Sequence, residues 1–214
     1  MPRDFDVTFL LVAGEKNLEY HAEVLAAAKH ASLRVETILV ETNERACLEA
    51  RRLADQFFDR SETPWIGPAH EVAVAHARAP VYFYMCNHHM TFRKPSWLAD
   101  LVHPAMEGVD LVGQLREHGF GPAALPGLQW LSDSNPAYRV HIQGGIWAGH
   151  THAIPKYLAA YPHGYEDVVR SWLMWHQKRT RVDPGVVFST GVRGQVCPSD
   201  ARYSVIHDYR LGAP

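Results

Sequence analysis

Long apolar runs are missing from this chain of 214 residues. No stretch approaches the roughly 18–20 consecutive apolar residues that cross a bilayer as a helix. The opening Met1-Pro2-Arg3-Asp4-Phe5-Asp6 carries acids and leads straight into a strand pattern, unlike a signal peptide. Cysteine is scarce: Cys47, Cys86 and Cys197 are three in number, far apart and without zinc-type spacing. That usage argues against a disulfide framework and predicts a reducing, cytoplasmic setting. An excess of charge is also lacking. Lys and Arg number 21 against 23 Asp and Glu, a formal net charge of −2, so neither a nucleic-acid partner nor an anionic membrane surface is expected.

Familiar catalytic signatures are absent as well. No Gly-X-Gly-X-X-Gly follows the first strand pattern, and no phosphate-loop Lys motif occurs, which disfavours a dinucleotide dehydrogenase or a phosphate-loop kinase. Neither a Gly-X-Ser-X-Gly elbow nor His-Glu-X-X-His is present, which weakens a serine hydrolase and a helix-borne zinc protease. What is abundant is histidine, 14 residues, alongside six tryptophans.

Apolar types make up 47% of the chain and charged types 21%, enough to bury one sizeable core. Val7–Ala13 and Val35–Val40 are short apolar runs, and Val81–Cys86 is the most apolar of all, each suited to a buried parallel strand. Between them, helical spacing predicts one helix from Asn17 to about residue 31, a second from Ala46 to Phe57 and a third opening at Gly67-Pro68. Strand–helix alternation with short connections predicts an α/β fold: a Rossmann-like, mostly parallel central sheet with helices on both faces. Ligands of such sheets sit beyond the carboxyl ends of the strands, which directs attention to Glu15–Asn17, Glu41–Asn43 and Asn87-His88-His89.

Further on, Ser96–Val102 predicts a short helix stopped at His103-Pro104. Val109–Leu115, Arg139–Gln143, Val186–Ser189 and Tyr203–Ile206 predict strands. Residues 117–138 read as a long loop, Gly144–Gly149 as a glycine-rich turn that demands close backbone approach or unusual dihedrals, and Glu166–Lys178 as a strong helix. One domain, 1–214, is expected, with a nucleotide half to about residue 115 and an acceptor half after it.

The order of these features resembles the GT-A glycosyltransferases, especially the family 2-like inverting enzymes, along nearly the whole chain from Val7 to Tyr209. The resemblance rests on the Asn17-led helix, Glu41 ending the second strand, and the apolar strand Val81–Cys86. It continues through Pro95, Trp97 and Leu98, the Gly-Gly segment, Gly164-Tyr165-Glu166-Asp167 and the late His207. It implies a GT-A fold and transfer of a sugar from a nucleoside diphosphate sugar to a hydroxyl of a small or carrier-linked acceptor. One departure is plain: where the family has Asp-X-Asp, this chain reads Cys86-Asn87-His88-His89.

Under that resemblance Glu41 accepts from the nucleoside, and Asn87, His88, His89, Arg193 and Arg202 serve the diphosphate. A divalent metal, Mn or Mg, would be held by Asn87, His89 and His207. A set of neutral oxygen and nitrogen donors is unlike the carboxylates that hard cations prefer, and a metal-independent site is equally compatible. Asp167 is the candidate general base, with Glu166 beside it, because a helix N-terminus favours a carboxylate there; helix capping is the plainer role. Trp147, His150 and Tyr165 are candidates to line the acceptor site, with core packing the plainer role for the tryptophan. Two other classes compete: a noncatalytic sugar-nucleotide-binding or partner module, and a metal hydrolase built from His88, His89, His141, His150, His152 and His207.

Overall fold

Every residue of Val7–Ala13 (β1), Val35–Glu41 (β2) and Val81–Met85 (β4) is buried. Strand side chains alternate between faces, so burial at every position means that both faces of the sheet are covered. The computed structural model of the protein describes residues 4–13, 18–42, 48–60, 62, 66–85, 89–117, 140–154, 178–189 and 202–208. Within them the other strands are Gln56–Asp59 (β3), His89–Phe92 (β5), Leu111–Glu117 (β6), Val140–His150 (β7), Arg181–Val182 (β8), Val187–Ser189 (β9) and Val205–Asp208 (β10). The helices are Leu18–Lys29 (α1), Leu48–Leu53 (α2), Ile66–His76 (α3) and Trp97–Met106 (α4).

The central sheet runs β3-β2-β1-β4-β7-β6-β8. Strands β3, β2, β1 and β4 are mutually parallel, β7 is antiparallel to both β4 and β6, and β8 is parallel to β6. The mostly parallel α/β architecture anticipated above is therefore present, with β7 reversed inside it. A second sheet, β5-β10-β9, holds β10 antiparallel to β5 and parallel to β9. Helix α4 turns Trp97, Leu98, Leu101, Val102 and Ala105 into the core, where Trp97 meets Phe83 edge-on.

Three local expectations are corrected. The predicted helix to Phe57 ends at Leu53, and Gln56-Phe57-Phe58-Asp59 alternates between half-buried and exposed as an edge strand on β2. Its paired aromatics favour a pleated, half-covered surface over a helix. Helix α4 continues through Pro104 to Met106, because that proline near the helix end forfeits one hydrogen bond while the buried face keeps packing. Gly108, at φ +106°, then closes the helix in a conformation that favours glycine.

The glycine-rich segment is strand, not turn. Glycine at 149 serves close approach, since a Cβ there would lie 2.5 Å from the Asp110 carbonyl oxygen; on the neighbouring β6, one on Gly113 would lie 2.6 Å from Ile142 Cγ2. The obstacle at Gly149 is backbone. Gly149→Ala is expected to cost about 1–3 kcal/mol, the range for overpacking a tight interior, as a lowered urea midpoint with an unchanged slope. The predicted helix Glu166–Lys178 and most of the predicted loop 117–138 lie outside the described residues.

Candidate functional site

The carboxyl ends of the parallel strands bring Ala13, Glu41, Asp59 and Met85 to one edge of the sheet. Ala13 pairs with Glu41, Glu41 with Asp59, and Leu11 with Met85. With strands about 4.8 Å apart, the end of β2 and the end of β4 stand roughly 10 Å from each other across β1. That spacing sets Glu41 and Met85 along the same edge. Asn87 and His88 themselves lie outside the described residues, as do Glu166, Asp167, Tyr165 and Arg193.

Glu41 is wholly buried, and its carboxylate is spanned by Arg51 from α2. Arg51 Nε donates to Oε1 at 2.8 Å and Nη2 donates to Oε2 at 2.9 Å. This is the two-point fork that guanidinium and carboxylate form best. The Arg51 side chain stays 30% exposed and lies over the Phe57 ring, 4.9 Å from its centroid. The strand end therefore offers a guanidinium already oriented by a carboxylate. Arg51 escaped the sequence reading because nothing local links residues 41 and 51; only the return of α2 over β2 joins them.

The small sheet lies next along the chain. Strand β5 begins at His89, and its register with β10 sets His89 opposite Asp208 and Met90 opposite His207. The strand that carries His207 therefore lies beside β5. Among the described residues, no group of three His, Cys, Asp or Glu side chains converges as a metal site.

Three expected contacts are corrected. Trp147 is fully buried, packed with His70, Tyr82 and Tyr84 at centroid distances of 5.3, 5.5 and 5.9 Å. Its ring is core and has no face open to a sugar. His150 pairs with Val81, the first residue of β4, so it sits at the amino edge of the sheet, opposite the end that carries Glu41. The reversal of β7 causes this. There His150 joins Arg78, Thr151 and His152 around a pocket of about 450 Å³, and its ring lies 5.0 Å from that of His152. Arg202 is exposed at the far end of the small sheet from His89; it stacks on Tyr203 and donates to its hydroxyl at 2.9 Å. Two members of the six-histidine constellation are also far apart: His141 and His150 of β7 lie beside Arg116 and Asp110, a separation of roughly 20 Å at strand rise once the register shift in β7 is allowed for.

No protein-family model and no curated protein sequence matches the chain. Solved structures do share its fold. Glucosyl-3-phosphoglycerate synthase from Mycobacterium tuberculosis, in complex with Mn2+, UDP-glucose and phosphoglyceric acid, superposes with a TM-score of 0.56 at 15% identity, covering 84% of this chain and 70% of that one. The same synthase with Mn2+, UDP and glucosyl-3-phosphoglycerate gives 0.53 at 15% identity over the same shares. CMP:2-keto-3-deoxy-manno-octonic acid synthetase complexed with CTP gives 0.50 at 9% identity, covering 83% of this chain and 89% of that one. The fold is GT-A-like. No helix among the described residues is long and apolar enough to cross a membrane.

Proposed function

We propose that this GT-A-like chain is an inverting glycosyltransferase that takes a sugar from a nucleoside diphosphate sugar, of the UDP-glucose kind, to a hydroxyl of a small or carrier-linked acceptor. The observation that supports this reading best is the carboxyl edge of the sheet. It carries an Arg51–Glu41 clamp at the end of β2 and, about two strand spacings away, the end of β4 leading to His89. The fold shared with synthases solved in complex with UDP-glucose supports the same reading.

In this mechanism Glu41 and Arg51 take the nucleoside end, and Asn87, His88, His89 and Arg193 take the diphosphate. A divalent ion, when bound, offsets the charge that gathers on the leaving diphosphate. Asn87, His89 and His207 are its candidate ligands. Asp167, with Glu166 beside it and Tyr165 on the acceptor side, accepts the proton of the acceptor hydroxyl. The hydroxyl oxygen forms its bond to the anomeric carbon from the face opposite the diphosphate, and the carbon–oxygen bond to the diphosphate breaks. The products are the inverted glycoside, the nucleoside diphosphate and a protonated Asp167.

A thermal-shift screen of UDP, CDP, ADP and GDP, with and without Mn2+, tests the donor half of this proposal, since a ligand of the native state raises apparent stability. The expected result is a rise with UDP that exceeds the others. No rise with any nucleotide overturns the reading. Arg51→Lys keeps the charge but loses the fork. Calorimetric titration is expected to show UDP affinity weakened roughly tenfold, the worth of one charge-assisted hydrogen bond. UDP bound normally with no sugar transfer to any acceptor would favour the noncatalytic module, which the loss of Asp-X-Asp also suits.

A further inference from the structure

The pocket of about 450 Å³ at the amino edge of the sheet lies where the chain enters β4 and leaves β7. Its two sides are tied together. Thr151, just after β7, donates its backbone N–H to the Pro80 carbonyl at 2.9 Å and its hydroxyl to the Ala79 carbonyl at 2.8 Å. The walls are thus set before a ligand arrives. Val74, Ala79 and Pro80 give an apolar side, while Arg78, His150 and His152 bring polar groups.

Arg78 is oriented from two directions. The buried Glu36 carboxylate accepts from its Nε and its backbone N–H, and the guanidinium carbon lies 4.7 Å from the Phe5 ring centroid. Among the described residues nothing accepts from its two Nη groups, and the side chain is 54% exposed. His150 Nδ1 is buried and has no hydrogen-bond partner among the described residues. A buried ring nitrogen without a partner is costly, and turning it toward the pocket forfeits no bond already made by that atom. The exposed His152 ring stands beside it. The Asp110 carboxylate, close enough to feel the His150 charge, is already taken up by the Thr180 N–H at 2.9 Å, the Thr180 hydroxyl at 3.0 Å and Arg179.

We propose that this pocket binds a small phosphate monoester with an apolar body. A guanidinium edge and two imidazoles present N–H donors from more than one direction. A tetrahedral phosphoryl group has three terminal oxygens to meet them, whereas the fork alone satisfies a planar carboxylate. The body of the ester rests on Val74, Ala79 and Pro80. Because Glu36 offsets the Arg78 charge, the attraction acts through N–H groups at hydrogen-bond range. The length of β4, roughly 15 Å at strand rise, separates this pocket from the carboxyl edge, so the site is independent of the proposed donor site.

Calorimetric titration of the full chain with phenyl phosphate, inorganic phosphate and benzoate tests the inference. Phenyl phosphate is expected to bind roughly tenfold more tightly than inorganic phosphate, from the buried ring, and than benzoate, from the added charge-assisted hydrogen bonds. His152→Ala, at an exposed position, is expected to weaken phenyl phosphate roughly tenfold, and Arg78→Lys by at least as much. If Arg78→Lys does not fold, because it also releases Glu36, His152→Ala carries the test alone. Saturating UDP with Mn2+ is expected to leave phenyl phosphate affinity unchanged. No phenyl phosphate binding overturns the inference, as do benzoate or inorganic phosphate binding equally well, an unchanged affinity in His152→Ala, and displacement by UDP. Phenyl phosphate binding that depends on His152 in a chain that binds no nucleoside diphosphate supports the pocket and removes the donor reading.

Discussion

Asp167→Asn is expected to lower turnover by a factor of roughly 10² or more while leaving UDP binding intact. A positioned general base contributes about that much, and the amide keeps the size of the carboxylate but not its affinity for a proton. The control lies in the competing role. Asn caps a helix almost as well as Asp, so a capping residue would show nearly unchanged stability and turnover after this exchange. Steady-state transfer kinetics beside a calorimetric UDP titration separate the cases. Glu166→Gln belongs in the same experiment: a large loss there with a silent Asp167→Asn moves the base to Glu166, and two silent variants remove it from this segment altogether.

Glu36→Gln is expected to be the most destabilising of the single changes considered. Glu36 is wholly buried on β2 and accepts from Thr8 Oγ1 at 2.6 Å, Gln56 Nε2 at 2.7 Å, the Arg78 backbone N–H at 2.8 Å, and the Arg78 guanidinium. Burial alone would push its carboxyl up; these donors outweigh it and hold the group below the ordinary carboxylate range. The variant turns an amide N–H₂ toward this ring of donors. A cost of about 3 kcal/mol is expected, the low end for breaking a buried pair, because Arg78 remains half exposed and stays solvated.

The sign with pH follows from the depressed folded-state value. The stabilisation is fully present above the unfolded-state value near 4.3 and is lost as pH falls through the lower folded-state value. Urea titrations should therefore give a constant gap between native and variant chains from about pH 7 to pH 5, closing below about pH 4. A gap that stays constant down to pH 3 would assign the loss to packing instead of charge.

The elements legible in the sequence are those whose signal is local and whose burial is two-sided. Val7–Ala13, Val35–Val40 and Val81–Met85 are continuous apolar runs, which only a covered parallel strand requires, and each lies where it was read. Gln56–Asp59 was hidden because Phe57 also fits the helical period of the segment before it; its strand character comes from pairing with β2. Strand β7 was hidden by its glycines, of which Gly149 serves tight contact with the Asp110 backbone. Misreading β7 then misplaced Trp147 and His150, since a strand's direction decides which edge its last residue reaches. Glu41 was legible as the end of β2, because the apolar run stops there at an acid. Arg51 was not, since it meets Glu41 through a return of α2 that no sequence window contains.

Strand β7 also bears on how the chain reaches its native state. It lies between β4 and β6, although both precede it in the sequence. Until residue 150 has been made, the edge of β4 has no neighbour on that side and β6 has nothing joining it to the sheet. An apolar strand with an open edge pairs readily with other chains, so the nascent protein passes through an aggregation-prone stage. Completion waits on a long-range closure, which is slow compared with local helix formation. A fragment ending near residue 117 would carry that open edge permanently, and its solubility would depend on covering it.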